Sequence, residues 1–185
     1  MKYIKPLIVF LLIVFSSIEL LATDIVVEQL KDGGKVVMIR HAYAPGSGDP
    51  ENFLIEDCST QRNLSKQGIE QSKLIGSFFK KNKIPIDIVL TSEWCRCKDT
   101  AFYAFKNFKT NSFLNSFYDL RFQKNKNKQV IELKNYIKEW QGNKNLILIT
   151  HYVVINEILN VSSSSGEIII SDNEFNVIGK LKNKL

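Results

Sequence analysis

Two histidines and four arginines are the side chains of this 185-residue sequence best suited to chemistry on an anion. His41 and His151 each follow a short apolar run, KVVMIR before one and NLILIT before the other. Imidazole titrates near ~6.5, so near neutral pH it can be a neutral nucleophile or a hydrogen-bond donor. Both histidines stand where an apolar run ends, which points to a shared role. Lysines number 21 against four arginines, so lysine serves wherever any positive charge will do. Arginine then marks positions that need a planar, permanently charged fork, as in two-point recognition of phosphate. Arg40 abuts His41, and Arg96 follows Thr91-Ser92 at the end of a third apolar run, DIVLT, where a helix begins. A helix start presents free N–H groups and a positive dipole end to an anion. For Arg62 and Arg121 a salt-bridge role and a phosphate role weigh equally.

These residues need a frame that brings run ends together. The runs Lys35–Arg40, Asp87–Thr91 and Asn145–Thr150 are continuously apolar rather than alternating, which predicts strands covered on both faces. Helical patterns lie between them. Ser65 to Lys83 opens on a capping serine, and Trp94 to Phe105, Lys128 to Trp140 and Val153 to Leu159 show helical spacing. Glu167 to Ile170, then Ser171-Asp172-Asn173, then Glu174 to Ile178 reads as a hairpin. Strands alternating with helices predict an α/β three-layer sandwich, helices on both faces of a mostly parallel sheet, with ligands beyond the strands' carboxyl ends.

Residues 1–22 differ in kind from the rest. Lys2 and Lys5 precede an apolar run from Leu7 to Phe15, followed by Ser16, Ser17 and Ala22. This is the layout of a secretory signal peptide, well short of the roughly 20 residues that span a bilayer. We expect residues 23–185 to form one exported domain, periplasmic or secreted, with no membrane span after leader removal; the alternative is an uncleaved anchor. Removing the leader takes two lysines and one glutamate from a chain of net charge +6, leaving +5. That suits an anionic substrate without being a nucleic-acid signature. Lys180, Lys182 and Lys184 read as a solvated tail. In an oxidising compartment Cys58 can pair with Cys95 or Cys97; three reduced thiols are the alternative. Two cysteines one residue apart do not make a zinc site, and no metal is expected.

Arg40-His41-Ala42 resembles the Arg-His-Gly signature of the histidine phosphatase superfamily, in its phosphoglycerate mutase-like branch. Ser92-Glu93-Trp94-Cys95-Arg96 with Thr100-Ala101 resembles the family's second arginine motif, and Thr150-His151 its late histidine motif. Leu64-Ser65 with Gly68 and Gln71 is similar to the helix opening between them. The resemblance runs in order from about Lys35 to Ile170, and DCSTQRNLS and WCRC are similar to a subgroup of small exported members.

The resemblance implies a phosphoglycerate mutase-like fold and a phosphomonoester hydrolase needing no cofactor. His41 would be the nucleophile, passing through a phosphohistidine. Arg40 and Arg96 would grip the phosphoryl oxygens, and His151 would donate a hydrogen bond to one of them. Ala42 stands where the family has glycine, and Leu114-Asn115-Ser116 puts serine where the mutases have a proton-donating glutamate. Asp119 is the nearest acidic residue for that donor. Mutase activity is disfavoured by these departures. The resemblance and the leader together point to a small-molecule or glycolipid substrate such as an envelope sugar phosphate. A phosphohistidine-protein phosphatase and a non-catalytic phosphate-binding member are the alternatives.

Overall fold

A computed structural model describes residues 24–182; the expected leader, residues 1–22, lies outside them, as does Lys184. Helix α1 occupies residues 24–32. There follow β1 (Val36–Arg40), α2 (Lys66–Lys81), β2 (Ile86–Thr91), α3 (Cys95–Phe105) and β3 (Lys109–Thr110). Next come α4 (Leu120–Gln123), α5 (Lys126–Glu139), β4 (Asn145–Thr150), α6 (Tyr152–Leu159), β5 (Ile168–Ser171) and β6 (Val177–Leu181). Among the described residues no helix is long and apolar enough to cross a membrane.

Six strands form one mixed sheet in the order β3-β2-β4-β1-β5-β6. β1 to β4 run parallel; β5 is antiparallel to β1, and β6 to β5. Alternating residues of the apolar strands leave by opposite faces, and both faces are covered, so every position must be apolar. Val37, Ile39, Ile147 and Ile149 meet Leu30 of α1, Ile75 and Phe79 of α2, and Ala101 of α3. Val36, Met38, Leu146 and Leu148 meet Leu133 and Ile137 of α5 and Val154 and Ile155 of α6. This is the expected three-layer sandwich. Replacing a fully buried isoleucine such as Ile147 by alanine would cost about 2–5 kcal/mol.

The three strands that carry the chemistry end side by side. Arg40 pairs with Thr150 and Thr91 with Ile149. The ladder then continues one step, as His41 N–H donates to the Thr150 carbonyl at 2.9 Å and Ser92 N–H to that of Ile149 at 3.0 Å.

The closing hairpin is present, but its second strand starts three residues later than the sequence suggests. The Asp172 carboxylate accepts the N–H groups of Glu174 and Asn176, both at 2.9 Å, and so shapes a longer turn through residue 176. Lys180 therefore lies in the edge strand β6. Helix α1, the two-residue β3 and the short α4 have no counterpart in the sequence reading.

Candidate active site

His41 leaves β1 with its ring only 3% exposed. Its Nδ1 lies 2.8 Å from the Ala42 carbonyl oxygen. A carbonyl only accepts, so Nδ1 carries the proton and Nε2 keeps its lone pair. Arg96 Nε–H donates toward that lone pair at 3.3 Å. Burial first, then the positive charge of Arg96, pushes the His41 pKa well below the usual histidine value. The ring is neutral at pH 7, as a nucleophile must be.

The segment after His41 is clamped from two sides. The Ala42 amide donates to Thr100 Oγ1 at 3.0 Å, and that hydroxyl donates to the Arg96 carbonyl at 2.7 Å. Ser65 caps α2 through the Gly68 amide at 3.1 Å, while Gln71 Oε1 accepts the Tyr43 amide at 2.8 Å. A Cβ at Gly68 would collide with the Tyr43 carbonyl oxygen, so only glycine lets α2 press this close. The Ser65, Gly68, Gln71 and Thr100 positions thus hold the backbone that aims His41.

His151 caps the start of α6 and is 2% exposed, its ring 5.4 Å from that of His41. Its Nε2 lies 2.9 Å from Ser92 Oγ. The Ser92 hydroxyl donates to Asn115 Oδ1 at 3.1 Å, an oxygen identified by the Glu93 amide that also donates to it at 2.9 Å. With its proton committed, Ser92 accepts, and His151 carries its proton on Nε2 when neutral. Burial and Arg96 push the His151 pKa well down too.

Three arginines border the same pocket of about 120 Å³. Arg96 lies in the first turn of α3 and is 3% exposed. Arg40 donates from Nη1 to the Ser163 carbonyl at 2.7 Å and lies over the Tyr152 ring, 5.3 Å from its centroid. Its buried Nε has no partner among the described residues. Arg62 donates from Nε to the Gly48 carbonyl at 2.8 Å. Asp49, at the end of the Gly46-Ser47-Gly48 loop, was not singled out from sequence. Its carboxylate pairs with both Nη groups of Arg96, at 2.8 and 3.1 Å.

Asp119 also borders the pocket, at its mouth. It caps α4, and Arg121 reaches its carboxylate through Nε at 3.0 Å and Nη2 at 2.8 Å. These bonds hold the Asp119 carboxyl below the usual range, so it is ionised at neutral pH. Arg121 belongs to this rim pair. Exposed Tyr118 and Tyr152 form the other side of the mouth, their ring centroids 5.9 Å apart.

Of the two pairings left open, the structure has Cys58–Cys95, tying the loop that carries Asp49 and Arg62 to the residue before Arg96. Cys97 is a buried free thiol whose pKa burial pushes up to about 12, so it stays protonated and inert. Among the described residues no three of His, Cys, Asp and Glu cluster as a metal site.

No protein-family model matches this sequence, and no curated protein shows significant sequence similarity to it. Solved structures do match. The protein histidine phosphatase SixA complexed with tungstate is 17% identical, with 77% of this chain and 92% of that one covered and a TM-score of 0.53. Phosphoglycerate mutase from Thermus thermophilus is 14% identical over 80% and 98%, with a TM-score of 0.56. A mycobacterial glucosyl-3-phosphoglycerate phosphatase complexed with VO3 is 12% identical over 75% and 92%, with a TM-score of 0.55. At these identities the likeness is one of fold: this chain has the α/β fold of phosphoglycerate mutase and of these two phosphatases.

Proposed function

We propose that this protein is an exported phosphatase that hydrolyses phosphomonoesters through a phosphohistidine on His41. One observation carries the reading: a neutral histidine whose Nδ1 is tied to a backbone carbonyl presents an unprotonated Nε2 to a pocket bordered by three arginines. Two proteins of the same fold hold tungstate and VO3, oxyanions that resemble a phosphoryl group. Nε2 attacks phosphorus, the N–P bond forms as the bond to the leaving oxygen breaks, and that oxygen takes up a proton from solvent. Water then adds to phosphorus, the N–P bond breaks, the water's proton passes to solvent, and inorganic phosphate leaves. Arg40 and Arg96 grip the phosphoryl oxygens, and His151, taking up a second proton beside the dianion, donates to one of them.

The leaving group we assign is a sugar of the cell envelope. Tyr118 and Tyr152 offer the aromatic surface on which a sugar's CH face rests, and the adjoining groove carries the amides of Gln123, Asn127 and Asn156. The apolar leader after Lys2 and Lys5 and the Cys58–Cys95 bond support export. A second reading, hydrolysis of phosphohistidine on a protein, is favoured by Asp119. An ionised carboxylate has no proton to give, and a phosphorus–nitrogen bond breaks with less help from an acid.

The test is turnover of p-nitrophenyl phosphate, whose leaving group needs little acid help. The protein should hydrolyse it, His41→Ala should not, and acid-labile phosphate should be trapped on the wild type alone. Phosphate binding with no turnover would make the chain a binding protein. Sugar phosphates against a phosphohistidine peptide then separate the two substrate readings.

A further inference from the structure

We infer that Asp49 is the positioning residue of this site, aiming Arg96 at His41 and setting the pocket's charge to that of one phosphoryl dianion. The inference rests on the phosphatase reading. The Asp49 side chain is 8% exposed and accepts four hydrogen bonds. Oδ1 takes Arg96 Nη1 at 2.8 Å and the Arg62 amide at 3.1 Å, while Oδ2 takes Arg96 Nη2 and Trp94 Nε1, each at 3.1 Å. Its lone pairs are filled, so it is an anchor rather than a loop-tip charge.

A guanidinium offers two forks: an end formed by both Nη groups and a side formed by Nε with one Nη. Asp49 takes the end. What remains is the side fork, whose Nε–H already points at His41 Nε2 from 3.3 Å. A phosphoryl group bound for that nitrogen meets a guanidinium whose plane is set before it arrives, and only the Nε–H contact has to pass from His41 Nε2 to a phosphoryl oxygen.

The charges agree with this assignment. Arg40, Arg62 and Arg96 border the pocket, and Asp49 is the carboxylate paired with one of them. Arg40 and Arg62 instead spend hydrogen bonds on neutral backbone carbonyls, those of Ser163 and Gly48. Three positive charges less one leave two, which match a dianion without holding the product too tightly. Asp119 does not enter the sum, because Arg121 neutralises it at the rim.

A gate would have different properties. Were Asp49 a substitute for substrate that must swing away, its removal would free Arg96 and raise affinity and turnover together. A positioning anchor makes them move oppositely. The measurements are kcat on p-nitrophenyl phosphate, inhibition by inorganic phosphate, and thermal midpoint, for wild type, Asp49→Asn and Asp49→Glu. Asp49→Asn should bind phosphate about tenfold tighter, having lost a nearby negative charge, and lose about 10- to 100-fold in kcat. Asp49→Glu keeps the charge but displaces the carboxylate, so phosphate affinity should stay within about threefold while kcat falls about 10- to 100-fold, as in Asp49→Asn. A folding defect would instead weaken binding and turnover together; if Asp49→Asn does not fold, Asp49→Glu decides alone. Wild-type or higher kcat in a folded variant overturns the assignment. A wild type that binds phosphate without turnover sinks the hydrolase reading and this one with it. An active wild type with indifferent variants sinks this one alone.

Discussion

Lowering the pH from 7 to 5 should destabilise this protein through His41 and His151. Both rings are buried and held neutral, first by burial and then by Arg96. In the unfolded chain each regains a pKa near ~6.5. Below that pH the unfolded state binds more protons than the folded one, so stability falls as pH falls. If both rings stay neutral in the fold, each accounts for about 1.9 kcal/mol between pH 7 and 5, or about 4 kcal/mol together. The window is diagnostic because the chain has only two histidines. Carboxylates held low in the fold, such as Asp49 and Asp172, lose their contribution only at lower pH. Half-buried Asp99, whose carboxyl burial raises, pulls the other way. Urea unfolding followed by circular dichroism is the assay. With a slope of about 2 kcal/mol per molar, the midpoint should fall by about 2 M between pH 7 and 5. His41→Asn and His151→Asn should each remove about half of that pH dependence. A midpoint that moves by less than about 0.3 M would refute the buried neutral pair.

The Cys58–Cys95 bond closes a loop with a sequence separation of 37, worth about 4 kcal/mol in chain entropy. Cys58→Ser with Cys95→Ser should melt about 8–16 °C lower, and denatured wild type should show one titratable thiol, that of Cys97. Arg96→Lys removes both the fork on Asp49 and the Nε–H on His41, so kcat should fall about 10²- to 10³-fold in steady-state assays. Asp119→Asn should slow alkyl and aryl phosphates alike, by less than about fivefold, because Arg121 keeps that carboxylate ionised. A loss of about 10²-fold confined to alkyl phosphates would instead identify Asp119 as the donor. Phosphate binding near pH 6 should be accompanied by proton uptake, since a dianion beside His151 raises its pKa; calorimetry in buffers of different ionisation enthalpy measures it.

Much of the frame was legible because its signals are local. The runs that became β1, β2 and β4 are apolar at successive positions, which only a sheet covered on both faces requires. Once these strands are parallel and in register, the residues after each must emerge along one edge, so His41, Ser92 and His151 become neighbours through topology alone. Arginine was legible through contrast with the prevailing lysine, which singled out Arg40 and Arg96, and both border the pocket. It could not separate Arg62 from Arg121, because their partners, the Gly48 carbonyl for one and the Asp119 carboxylate for the other, are set by the fold. Arg62 thereby borders the pocket, whereas Arg121 is spent on the rim pair.

The two aspartates show where local reading stops. Asp119 drew attention by its place after the Leu114-Asn115-Ser116 segment, whereas Asp49 sits in a glycine-rich stretch that reads as an ordinary turn. Nothing within a few residues of Asp49 reveals its partner. Asp119 finds Arg121 two residues away, an exposed local pair that any cap could form. Asp49 finds Arg96, 47 residues distant, and is held there by Trp94 and the Arg62 amide. Those donors converge where Cys58–Cys95 fastens the loop to α3 and where Gly46 and Gly48 adopt positive φ as the chain turns back into the pocket. A carboxylate's role here follows from which arginine the fold delivers to it, and that delivery is a long-range event. The acid nearest in sequence to the expected motif is therefore a rim ion pair, while the one that holds Arg96 beside His41 is recognisable only after the loop has closed.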